Sequence, residues 1–135
     1  MGKKFAKLHV LHATGYGRGN SDDGQEDDPG VIKDGTRIAE YKVRYDDGTS
    51  ETIPVVYGQD VRDWWFTEAS KGVSRGKVAW KGDNELAKGF DIRIRLYLTT
   101  WENPDPNKTV TAIDYVKTGD SVAAPFCVAL TLEAK

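Results

Sequence analysis

Arg37-Ile38-Ala39-Glu40-Tyr41-Lys42-Val43-Arg44-Tyr45-Asp46-Asp47-Gly48-Thr49-Ser50-Glu51-Thr52-Ile53-Pro54-Val55-Val56-Tyr57 decides the fold. Ala39, Tyr41, Val43 and Tyr45 recur at every second position, with Glu40, Lys42 and Arg44 between them. Only a strand with one buried and one wet face needs that period. Asp46-Asp47-Gly48 then supplies the turn chemistry of a tight hairpin, and Ser50 to Tyr57 forms the returning arm. Pro54 lacks an amide hydrogen, so that arm belongs at a sheet edge or a bulge.

The same period appears on both sides of the hairpin. Phe5 to Ala13 alternates Leu8, Val10 and His12 with His9, Leu11 and Ala13, a strand with both faces covered. Phe90 to Leu98 places Phe90, Ile92, Ile94, Leu96 and Leu98 inward, and Asp91, Arg93, Arg95 and Tyr97 outward. Thr109 to Val116, Pro125 to Leu132 and a weaker run from Lys77 to Trp80 complete about seven strands. One short helix is expected within Asp60 to Ser70, with Asp60 as its N-cap. The fold class is therefore all-β, an antiparallel β-sandwich, in one domain of 135 residues. Residues 15–35 form a long loop, rich in glycine and then acidic through Asp22, Asp23, Glu26, Asp27 and Asp28.

Composition removes several function classes. A net charge of −2 gives no electrostatic footprint for nucleic acid. No apolar run approaches the ~18 residues of a membrane span, so no membrane insertion is expected. The single Cys127 excludes an intrachain disulfide and reads as a small buried hydrophobe. Met1 to Phe5 has a basic start but no apolar stretch follows, so no signal peptide is expected here. The chain is either cytoplasmic or a piece of a longer secreted protein. His9 and His12, three apart in a strand, face opposite ways and cannot pair on a metal. No nucleophile triad, phosphate loop or nucleotide fingerprint is legible, and no enzymatic activity is expected.

All four tryptophans fall in polar, turn-rich stretches: Asp63-Trp64-Trp65, Ala79-Trp80-Lys81-Gly82 and Trp101-Glu102-Asn103-Pro104. A ring beside Gly, Asp, Asn or Pro either stands at a surface or braces an irregular corner. The first reading makes a stacking platform for sugars, with Arg62, Asp63 and Asn103 as hydroxyl partners. The second makes structural pins, the more natural assignment for Trp101, where Pro104 and Pro106 stiffen the chain. The sugar reading requires the segments after Tyr57, around Trp80 and after Trp101 to converge.

Ala6 to Ala13, Ile38 to Thr49, Ile53 to Gly58, Asp63-Trp64-Trp65, Trp101 to Pro104 and Ala124-Pro125-Phe126 together resemble a family of planctomycete-type bacterial β-sandwich domains. That family is similar to galactose-binding-like jelly rolls and is often appended to larger surface or carbohydrate-active proteins. The resemblance implies a jelly-roll sandwich and a non-catalytic carbohydrate-binding module. It also implies an extracellular or cell-surface setting within a longer chain. Candidate ligand-binding residues are Arg62, Asp63, Trp64, Trp65, Trp80, Trp101 and Asn103. A structural calcium, common in such sandwiches, would find its oxygen ligands among Asp22, Asp23, Glu26, Asp27 and Asp28, where a solvated charge run is the competing reading. A protein–protein or assembly domain using the Ser50 to Tyr57 edge is an alternative function, and a polysaccharide-degrading enzyme another. Oligomeric state is not legible.

Overall fold

A computed structural model describes residues 1–17 and 32–135. The acidic candidates Asp22, Asp23, Glu26, Asp27 and Asp28 lie outside the described residues. The strands are β1 (Lys7–Gly15), β2 (Arg37–Tyr45), β3 (Ser50–Val56), β4 (Trp65–Phe66), β5 (Lys77–Gly82), β6 (Arg93–Glu102), β7 (Val110–Lys117) and β8 (Ala124–Glu133), and α1 (Glu85–Gly89) lies between β5 and β6. Every strand pairing is antiparallel. One sheet runs β4-β6-β1-β8, with β5 also on β6; the other runs β3-β2-β7. Among the described residues no helix is long and apolar enough to cross a membrane.

The hairpin forms as its pattern dictates. Tyr41 pairs with Ile53 and Val43 with Glu51, and Gly48 takes φ +85° in the turn, a region that favours glycine. Ala39, Tyr41, Val43 and Tyr45 are all buried. Glu40 and Arg44 pair outside, with Arg37 and Asp114. β3 is an edge strand, so Pro54 is tolerated.

The core lies between the sheets, where Leu8, Val10 and His12 of β1 and Tyr97 of β6 meet Tyr41, Val43 and Val55 of the second sheet. Burial of such side chains stabilises by roughly 25 cal/mol per Å². His12 is buried but satisfied, sharing hydrogen bonds with Tyr41 Oη at 3.1 Å and Thr99 Oγ1 at 2.8 Å. His9 faces the other way, against Thr100 Oγ1 and Glu133 Oε2, each at 2.9 Å.

Four expectations need correction. Residues 60–70 form no helix: the Asp60 carboxylate accepts from Val56 N at 2.8 Å and holds a tight turn that includes Gly58 at φ +83°. The helix present, α1, is capped by Asn84, whose side chain accepts from Ala87 N at 2.8 Å. β6 begins at Arg93, so Phe90 lies outside it and is 64% exposed. Ile92 and Ile94 are buried as expected, but Arg95 and Tyr97, expected outward, are buried too, because Tyr97 opposes the inward His12. Buried Arg95 is accommodated because its Nε and Nη1 donate to Asp63 O and Lys71 O. Its guanidinium also lies 5.2 Å from the ring centres of both Phe66 and Tyr97. Cys127 is only half-buried, because β8 is an edge strand.

Candidate functional site

The tryptophans are not loop residues: Trp65, Trp80 and Trp101 lie in β4, β5 and β6, and only Trp64 is outside a strand. Nor do they converge. Trp65 pairs with Ile94 at one end of β6, and Trp101 opposes Leu8 near the other end. At ~3.3 Å per residue those positions are roughly 23 Å apart.

Most of the nominated side chains have internal partners. Trp64 packs edge-on against Phe126 at 5.5 Å, and Trp65 lies against Phe90 at 5.8 Å. Arg62 is buried and makes a two-pronged contact with Asp34, at 2.9 and 2.8 Å. Asp63 accepts from Gly17 N at 2.6 Å and Trp65 N at 2.8 Å. Asn103 accepts from Tyr45 Oη at 2.6 Å and donates to Phe5 O at 2.9 Å. Trp80 is the most open ring, 46% exposed. Its benzo half fills the space a side chain at position 82 would take, and glycine leaves that space free.

Among the described residues, two hollows are built on the turn at 57–63. β5 pairs with β6 only as far as Leu98, so the last residues of β6 form an open edge beside the edge strand β3. The gap between the sheets opens there into a cleft of about 140 Å³. Thr99, Thr100 and Trp101 form one wall and Thr52, Ile53 and Pro54 the other. Asp60 and Arg75 also line it. Arg75 Nε donates to Asp60 Oδ1 at 2.7 Å, and Nη2 donates to Asp60 Oδ2. That bond raises the pKa of Arg75, which stays cationic. Asp60 is buried, and the side chain of Arg75 is 48% exposed. The cleft thus combines Trp101, the three threonines and a planar donor held in place by a carboxylate.

The second hollow is wider, about 530 Å³, and open to solvent. Gly35, Gly58, Gln59, Gly72, Val73 and Ser74 line it with the Asp34–Arg62 pair, and no aromatic ring is among them. Arg75 and the threonines carry no motif in the sequence, and Asp60 carries only a capping signal. The available signal was Arg75 itself, an arginine set between Ser74 and Gly76. Among the described residues no cluster of three or more His, Cys, Asp or Glu is placed to hold a metal.

The chain matches no family model, no curated protein and no solved structure.

Proposed function

We propose that this chain is a non-catalytic carbohydrate-binding module, with the galactose-binding-like jelly-roll character that its sequence resembles. The observation carrying this reading is the cleft at the open end of β6, which sets Trp101 in a wall close to the half-exposed Arg75–Asp60 pair. An indole face stacks on the C–H face of a pyranose. A few placed polar groups around an apolar floor then read the hydroxyls. The site is thereby moved from the convergence of three tryptophan segments to Trp101 and the turn at 57–63. An extracellular setting within a larger protein belongs to the same proposal.

The test is calorimetric titration with a panel of neutral glycans, on the wild type, Trp101→Phe and Arg75→Lys. Both changes keep the bulk or the charge, yet shrink the stacking face or remove the two-pronged geometry. Each should weaken binding by about tenfold, or ~1.4 kcal/mol, with little change in Tm. A panel in which nothing binds at millimolar concentration refutes the reading.

A second reading, self-assembly, is favoured by β8. This ten-residue strand ends its sheet and carries no charge from Ala124 to Leu132, with Val128 54% and Leu130 42% exposed. Antiparallel pairing with β8 of a second copy meets no like charges, and unprotected edges of this kind recruit strands. Its own Pro125 stands at the start of the strand, whereas Pro54 interrupts the middle of the shorter β3. Light scattering decides: a dimer dispersed by Val128→Lys supports assembly, and a monomer at every concentration rejects it.

A further inference from the structure

The two hollows share a wall one residue pair thick. Ser74 N donates to Gly58 O at 3.2 Å and Arg75 N to Gln59 O at 2.8 Å, so residues 58–60 and 74–76 are stitched into one ridge. On one flank Gln59 and Ser74 face the wide hollow; on the other, Asp60 and Arg75 face the cleft. Consecutive residues are ~3.8 Å apart, less than the length of one pyranose, so a bound chain of sugars reaches across the ridge.

Charge is balanced on each flank. Asp60 and Arg75 are the only charged residues lining the cleft, and Asp34 and Arg62 the only ones lining the wide hollow, among the described residues. Each guanidinium holds its carboxylate through both arms. A uronate or sulfate entering either hollow would lose water without gaining an unneutralised cation, a cost that a hydroxyl does not incur.

We infer that the ligand is a neutral oligosaccharide of two or more units, one stacked on Trp101 in the cleft and the next lying beyond the ridge against Gln59. This rests on the carbohydrate reading above. Crossing the ridge gives length dependence, and the two balanced ion pairs give rejection of acidic sugars.

The experiment titrates the protein with neutral gluco-, xylo-, manno- and galacto-oligosaccharides of one to six units, and with oligogalacturonides of the same lengths. Affinity should rise about tenfold or more between one and three units and then level off. Oligogalacturonides should bind at least about tenfold more weakly than neutral chains. Gln59→Ala leaves the backbone carbonyl that holds Arg75 in place, so it should reduce the gain in affinity from the second unit. Single sugars binding as tightly as trimers, or oligogalacturonides binding best, would overturn this inference and leave the module a lectin. If no sugar of any length binds, the carbohydrate reading itself fails.

Discussion

Lowering the pH from 7 to 5 should destabilise this protein through one buried side chain. His12 is 1% exposed, and burial lowers its pKa from 6.5 to about 4, partly offset by the negative charge of Asp60. The two hydroxyls beside it can donate or accept, so they adapt to either form of the ring; the missing hydration of an imidazolium is not replaced. The unfolded chain takes up its proton near pH 6.5, and the folded chain resists doing so until about pH 4. The stability His12 contributes is therefore complete above pH 6.5, is lost as the pH falls towards 4, and is gone below it. A shift from 6.5 to about 4 is worth about 3 kcal/mol at ~1.36 kcal/mol per unit, of which about 2 kcal/mol is already lost at pH 5. That is a large part of a typical domain's stability. The assay is urea unfolding at pH 7, 6 and 5, on the wild type and on His12→Gln, which keeps a polar side chain of similar reach but cannot ionise. The variant should start less stable and show a much flatter profile. Equal slopes for the two proteins, or a wild type as stable at pH 5 as at pH 7, would refute the argument.

Other changes probe the scaffold of the site. Asn103→Ala strands Tyr45 Oη and Phe5 O in a buried corner and should cost about 3 kcal/mol in urea unfolding. A Cβ at Gly76 would stand 2.7 Å from Asp60 O and 3.3 Å from Leu98 O, so Gly76→Ala should lift the ridge and cost ~2 kcal/mol. Gly72→Ala meets nothing within 4 Å and should stay within about 0.5 kcal/mol of wild type. Gly48→Ala, at φ +85° but with open space around it, should cost about 1 kcal/mol from backbone strain alone.

The hairpin was legible because its two faces differ: one is covered by the other sheet and one by water, so period two in the sequence maps directly onto burial. β6 defeated the same reasoning. Both of its faces are occupied, with Ile94, and Ile92 just before the strand, packed with Ala87 and the Trp64–Trp65 pair, so alternation no longer marks the inside. Arg95 reads as an outward charge until Phe66, Tyr97 and two carbonyls are brought round it, and those come from segments distant in sequence. The turn at Asp60 carried a real capping signal, but Val56 N and Arg75 took its carboxylate first. The cleft was illegible for a related reason. Thr52, Arg75 and Trp101 come from β3, from the segment before β5 and from β6, and only the early end of β5–β6 pairing leaves them exposed together.

β1 holds an inner position in its sheet, between β6 and β8, and that placement bears on synthesis. Both of its neighbours, β6 and β8, leave the ribosome well after β1. β1 must therefore wait with Leu8 and Val10 uncovered, and without its sheet partners on either side, while the β2–β3 hairpin can already close on itself. Non-local pairing of this kind is slow, and the waiting species is prone to aggregate. Production of soluble protein should thus depend on the pace of translation and on chaperone supply more than the equilibrium stability alone would indicate.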